Sequence, residues 1–265
     1  MAEIGFIGCG RLARVLIRGL IERKVFAPDQ ILASNNTFET LLSFSKKTNI
    51  HPATNNLQVP LMTKNIVLAV KPVQITSVLA EIKSALTPDH LVISVAAGVP
   101  LSKMTPFAGS VVRVMPNTPS QIGCGAAAFA TTDLVTEAQK KFVRKIFSAV
   151  GIIEPVEEHH LDAITGLSGS GPAYIYLIIE AMVAGAVAQG VPEDLALKLT
   201  VQTVKGAALM VEKTARSPQF LREQVTSPGG TTAEGLRVLE SNQVPKAFSD
   251  AIHAATMRSI TLGSS

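Results

Sequence analysis

Cysteine is scarce in this chain: Cys9 and Cys124 are the only two in 265 residues. Two thiols form no disulfide framework, so a packed core must hold the fold, and a reducing compartment, the cytoplasm, is the expected location. Metal-ligand spacings are missing too. No Cys–His cluster and no His-x-x-x-His pattern occurs, so no metal site is expected. Basic charge is not concentrated either. The formal net charge is +4 and the lysines and arginines are scattered, which argues against a nucleic-acid surface but would welcome a small anionic substrate. Met1-Ala2-Glu3 brings no basic stretch, and glycines break the apolar run that follows, so no secretory signal is read there. Finally, no Lys or Arg stands between Ile146 and Leu197. That gap limits which proton donors a catalytic site in this stretch could use.

What the chain does have is glycine placed at two loops. Near the N-terminus, Gly5-Phe6-Ile7-Gly8-Cys9-Gly10-Arg11-Leu12-Ala13 follows a short apolar strand and opens a helix marked by Leu12, Val15, Leu16, Gly19 and Leu20. Gly8-x-Gly10-x-x-Ala13 fits the dinucleotide fingerprint: Gly8 for the tight turn, Gly10 for close approach of the pyrophosphate, Ala13 for helix–strand packing. Cys9 reads as a small space-filler inside that loop. The second loop is Ser227-Pro228-Gly229-Gly230-Thr231-Thr232, followed by the helix-forming Ala233 to Glu240. It reads either as an anion cradle at a helix start or as a loop with a capped helix.

An acidic residue at the end of the second strand would hold the ribose 2'-hydroxyl of NAD. Here that place reads Ser34-Asn35-Asn36-Thr37, so the coenzyme reading leans to NADPH, with NADH possible. Neither Arg nor Lys sits there to supply charge, although Arg11 at the first helix turn could supply some.

Apolar runs at Ile4 to Ile7, Ile31 to Ser34, Ile66 to Val70, Leu91 to Val95, Val111 to Val114 and Ala126 to Ala130 read as strands. The first four alternate with helical or polar stretches, which implies a parallel sheet wound with helices. After about Pro155 helical runs dominate: Ala173 to Gln189, Pro192 to Lys213, Phe220 to Val225, Thr232 to Ser241 and Ala247 to Thr261. The fold class is therefore α/β, with a Rossmann-like NAD(P)-binding domain over 1–155 and an all-helical domain over 156–265. Helices this rich in Ala, Val and Leu predict burial against a second copy of the chain. Ala173 to Val191 invites comparison with a membrane span, but it carries Glu180 and Gln189 and lacks flanking anchors, so a helix buried in a core or subunit interface is preferred.

Three loops end predicted strands, where ligands of open parallel sheets lie: Ala69-Val70-Lys71-Pro72, Ser94 to Gly98, and Met115-Pro116-Asn117-Thr118-Pro119. A further glycine-rich segment, Gly166-Leu167-Ser168-Gly169-Ser170-Gly171-Pro172-Ala173-Tyr174, runs into the longest apolar helix. Taken together with both glycine loops, these segments resemble the pyrroline-5-carboxylate reductases over essentially the whole chain.

The resemblance implies a Rossmann domain, a helical dimerisation domain, and hydride transfer from NAD(P)H to the C=N bond of 1-pyrroline-5-carboxylate, giving L-proline in the last step of proline biosynthesis. By position it implies that Gly8, Gly10, Arg11 and Leu12 meet the pyrophosphate, that Ser34, Asn36 and Asn56 meet the adenosine end, and that Ala69, Val70, Lys71, Pro72 and Ala97 line the nicotinamide side. Glu158, Gln224, Ser227, Gly229, Gly230, Thr231 and Thr232 fall at substrate positions, with Thr232 the candidate proton donor. The implied partners are the small-molecule substrate and further copies of the chain, without nucleic acid or membrane. Two departures stand out: Gln224 replaces a frequent asparagine, and the arginine often found at the position of Asn36 is missing.

Two rivals are weighed against this reading. A β-hydroxyacid dehydrogenase shares the layout but needs a lysine on the helix after the second glycine segment, which the Ile146–Leu197 gap denies. A non-enzymatic nucleotide sensor needs the first glycine loop alone and leaves the second cradle unexplained.

Overall fold

The computed structural model describes residues 2–264. The chain divides into two compact units, one running to Ser170 and resuming from His253, the other spanning Gly171–Ile252.

The first unit is built on one sheet. Its strands are β1 (Ile4–Ile7), β2 (Ile31–Ser34), β3 (His51–Pro52), β4 (Asn65–Leu68), β5 (Leu91–Ser94), β6 (Ser110–Met115), β7 (Gly125–Thr131) and β8 (Gly151–Pro155), ordered β3-β2-β1-β4-β5-β6-β7-β8. Strands β1 to β6 pair in parallel, with Ile4 opposite Ile31 and Gly5 opposite Ile66. The sheet is nonetheless mixed, because β7 runs antiparallel to β6, Val112 facing Thr131. Its reason is local: residues 116–124 turn the chain through a short 3-10 segment, with Gly123 in the left-handed region (φ 75°), and no crossover helix returns it. Strand β4 stops at Leu68, two residues before the expected end, although the Ala69 N–H still donates to Ile7 O (2.8 Å).

Helices α1 (Arg11–Glu22), α2 (Phe38–Thr48), α3 (Gln58–Met62), α4 (Ile75–Ile82), α5 (Glu137–Phe147) and α6 (His160–Ile164) accompany this sheet. In α1 the apolar residues recur three and four apart, so Ala13, Leu16, Ile17 and Leu20 are all buried on one face. They join Ile4, Phe6, Phe129 and Phe147 in one core layer, while Ile7, Leu68, Leu79, Val92 and Leu161 fill a second. The alternation of Phe6 and Ile7 between layers is the two-residue period of a strand buried on both faces. A reciprocal cap starts α5: the Gln139 N–H donates to Thr136 Oγ1 (3.2 Å) and the Thr136 N–H to Gln139 Oε1 (2.9 Å).

The second unit is helical: α7 (Gly171–Ala188), α8 (Glu193–Thr214), α9 (Pro218–Gln224), α10 (Thr231–Ser241) and the start of α11 (Val244–Ser264). Its helices bury little within the chain. No residue of α7 is buried, and α8 buries only Ala196 and Thr200. The helical run His160–Ala188 contains an 18-residue stretch of mean hydropathy 1.6 and is long and apolar enough to cross a membrane by length and composition alone.

Candidate active site

Strand order reverses between β1 and β4, and in open α/β sheets the crevice at such a switch point receives the ligand. The β1–α1 loop occupies it. Gly8 has φ 91°, and a β-carbon there would sit 2.7 Å from Ala69 O, so glycine is required on both conformational and steric grounds. A β-carbon at Gly10 would meet nothing within 4 Å, which leaves the loop mouth open. The first bond of the α1 ladder is Arg14 N–H to Gly10 O (3.1 Å), and no side chain caps the helix. The N–H groups of Arg11, Leu12 and Ala13 therefore lie outside the helical ladder and are disposed for an anion. A turn without side-chain obstruction and an uncapped helix start fit a dinucleotide pyrophosphate.

The loop is braced from the end of β2. The Gly8 N–H donates to Ser34 O (3.1 Å) and the Cys9 N–H to Asn35 Oδ1 (3.1 Å). Ser34 Oγ donates to Asn56 Oδ1 (2.7 Å), and Asn56 Nδ2 donates to Glu81 Oε2 (2.8 Å). Asn36 is exposed. Cys9 is buried, and burial pushes its thiol above the ordinary value against the opposing pull of Arg14. It is a packing residue held in its neutral form.

Ala69 and Val70 are half-buried beyond β4, followed by exposed Lys71 and Pro72, and Ala97 is exposed beyond β5. All five thus stand at carboxyl ends of neighbouring strands. The Met115–Pro119 loop is braced through Asn117. Asn117 Nδ2 donates to Ser168 O (3.0 Å) and its Oδ1 accepts from the Ala126 N–H (2.9 Å). The same loop, with Arg11, Leu12, Val15 and Gly169, bounds a mainly apolar cavity of about 300 Å³.

Glu158 lies in the first unit and is held there. Its Oε1 accepts from the Leu101 N–H (2.7 Å) and from Arg113 Nη1 (3.3 Å). Arg113 also donates from Nη2 to Asp162 Oδ1 (3.2 Å), which accepts in addition from Ser259 Oγ of α11 (2.7 Å). Arg113 is 5% exposed, so its cation is buried and neutralised by two carboxylates. The sequence reading missed this cluster, although a charge inside Ser110-Val-Val-Arg113-Val-Met115 was its signal. His159 and His160 are exposed, with His159 Nδ1 near Glu157 Oε2 (3.2 Å).

In the second unit Gln224 ends α9 and is exposed, and Ser227 to Thr232 lead directly into α10. The Gly230 N–H donates to Ser227 O (3.0 Å), closing a tight turn, and Gly229 takes φ 66°. No side chain caps α10. Its first ladder bond is Glu234 N–H to Gly230 O (3.2 Å), so the N–H groups of Thr231, Thr232 and Ala233 are outside the ladder. Of the two readings of this loop, the capped helix start is the one the geometry lacks.

A dinucleotide cradle at a sheet switch point, followed by an apolar helical unit, defines the class: an NAD(P)-dependent oxidoreductase with a Rossmann-type domain. Comparison with known proteins narrows it. A family model described as pyrroline-5-carboxylate reductase dimerisation matches residues 158–262, and one described as NADP oxidoreductase, coenzyme F420-dependent, matches 3–98. A pyrroline-5-carboxylate reductase of Methanosarcina acetivorans is 42% identical over 264 residues, covering 98% of each chain. The solved structure of a pyrroline-5-carboxylate reductase from Coxiella burnetii superposes with a TM-score of 0.93 at 40% identity, covering 98% of each chain. That of a Plasmodium falciparum pyrroline carboxylate reductase with NADP bound gives 0.88 at 33% identity, over 99% of this chain and 98% of the other. The chain belongs to the pyrroline-5-carboxylate reductase family.

Proposed function

We propose that this protein reduces 1-pyrroline-5-carboxylate to L-proline with NADPH, in the cytoplasm and as a homo-oligomer assembled through its C-terminal helices, without a nucleic-acid or membrane partner. The observation that carries this reading is similarity to pyrroline-5-carboxylate reductases along nearly the whole chain, covering both glycine loops at once. The functional partition proposed is 1–155 for the coenzyme and 156–265 for substrate and assembly.

Bound NADPH supplies a hydride from its reduced nicotinamide. Gly8, Gly10, Arg11 and Leu12 hold the pyrophosphate on the open start of α1, with Ser34, Asn36 and Asn56 at the adenosine end. Ala69, Val70, Lys71, Pro72 and Ala97 set the nicotinamide at the carboxyl ends of the strands. Ser227, Gly229, Gly230, Thr231 and Thr232 bind the substrate carboxylate at the uncapped start of α10. Gln224 neighbours that loop. Glu158 contributes to the substrate site through its place in the Arg113 cluster, where one carboxylate oxygen is already engaged.

The C=N carbon of the neutral imine accepts hydride once its nitrogen is hydrogen-bonded, so positioning supplies most of the acceleration. The nitrogen takes one proton as the carbon takes the hydride. Thr232 donates a hydrogen bond to that nitrogen, directly or through a water, and no lysine is required. The test is NADPH oxidation that depends on added 1-pyrroline-5-carboxylate, with proline as product. Thr232→Ala is expected to lower turnover about 10²-fold while NADPH affinity stays within a factor of about two. Folded protein inert toward this substrate sinks the reading; full turnover in the variant removes Thr232 alone.

A further inference from the structure

NADPH differs from NADH by one phosphate dianion on the adenosine ribose, and the end of β2 is poorly equipped to bind it. Ser34 is buried and its single hydroxyl proton goes to Asn56. Asn35 has both ends of its amide engaged, Oδ1 by the Cys9 N–H and Nδ2 by Thr37 O (3.1 Å) and Thr40 Oγ1 (3.2 Å). Glu81, bonded to Asn56, adds a negative charge on that side. Asn36 and Thr37 are the exposed residues of the polar run, and both are neutral.

Positive charge comes instead from α1. Arg11, Arg14 and Arg18, spaced three and four apart, line one cavity of about 620 Å³ together with Gly10, Asn35 and Thr40. No acidic residue lines it. Arg14 is fixed in place: Nε donates to Cys9 O (2.9 Å) and Nη2 to Thr40 O (3.2 Å), joining the glycine loop to the first turn of α2. Its guanidinium lies 5.1 Å from the centre of the Phe44 ring, and that of Arg18 lies 5.6 Å from the same ring. Two cations are thus ordered on one aromatic surface. Among the described residues neither Arg11 nor Arg18 forms an ion pair with a carboxylate, and like charges at this spacing destabilise a helix unless an anion offsets them.

We propose that Arg11, Arg14 and Arg18 form the 2'-phosphate subsite and set a preference for NADPH over NADH, in place of a basic residue at the end of β2. The inference rests on the nucleotide-binding part of the proposed function and is independent of the substrate reduced. Arg14 and Arg18 are the discriminating pair, because Arg11 also borders the pyrophosphate loop.

Calorimetric titration with 2',5'-ADP and with 5'-AMP separates this subsite from the rest of the coenzyme site and needs no turnover. The unaltered protein is expected to bind 2',5'-ADP at least about tenfold more tightly, and Arg14→Gln/Arg18→Gln is expected to remove that preference while 5'-AMP affinity holds within about twofold. A preference absent from the unaltered protein overturns the proposal. So does a preference that survives the double substitution, or a parallel loss of both ligands, which makes the pair a loop brace. Asn36→Ala, at the adenosine end, is expected to weaken 2',5'-ADP and 5'-AMP alike and so to keep the preference; a preference lost there returns the subsite to β2.

Discussion

The two units solve the problem of apolar surface in opposite ways. In the first, strands β1, β2 and β5 are buried at every residue, and two core layers flank the sheet. In the second, α7 buries nothing, and Leu177 of α7 and Leu199 of α8 are 66% and 56% exposed. The first unit therefore draws its hydrophobic stabilisation from its own chain. The second displays side chains whose burial is worth roughly 1.5–3 kcal/mol each, and a second copy of the chain is the proposed means of covering them. The proposed chemistry follows the same division: the proposed coenzyme cradle sits on the self-sufficient unit, and the proposed carboxylate loop at Ser227 to Thr232 sits on the unit whose apolar side chains are left uncovered.

The substitution that breaks this contrast most sharply is Leu177→Glu. A charge on the apolar face of α7 is expected to abolish assembly, read as loss of the oligomer in sedimentation equilibrium, and to abolish reductase activity with it. Leu61→Glu, at a residue of similar exposure (68%) in the first unit, is expected to leave assembly and activity intact and to change stability by less than about 0.5 kcal/mol. Equal behaviour of the two variants would dissolve the distinction. Arg113→Leu probes the first unit from within, with a smaller effect. Removing this cation leaves Glu158 and Asp162 facing one another without it, and a loss of about 3 kcal/mol in unfolding free energy is expected, independent of protein concentration. An unchanged denaturation midpoint would mean that the cluster contributes no net stability.

The same contrast explains what could be read in the sequence. Where an element is stabilised by its own neighbours, local pattern suffices: Ile4 to Ile7, the Gly8–Ala13 loop and the α1 face at Ala13, Leu16, Ile17 and Leu20 need no other information. Strand β3 escaped because His51–Pro52 is too short to show a period, and β8 because its Gly151–Pro155 residues are mostly not buried and alternate weakly. The reversal at β7 depends on a turn rather than on strand composition. In the second unit the helices were legible as apolar runs, whereas what covers them is not a local property. At the coenzyme site the glycines were legible because their backbone demands are local. The tethering of Arg14 to Thr40 O joins residues 26 apart in the chain, and the grip of Arg113 on Glu158 and Asp162 joins residues 45 and 49 apart.

The central claim is hydride delivery to the C=N carbon of 1-pyrroline-5-carboxylate by the assembled protein. Turnover with NADPH deuterated at the transferring C4 position, followed by NMR of the proline formed, tests it directly. One deuterium per turnover is expected on the ring carbon next to nitrogen and remote from the carboxylate. Proline without deuterium, or label at any other carbon, would contradict it.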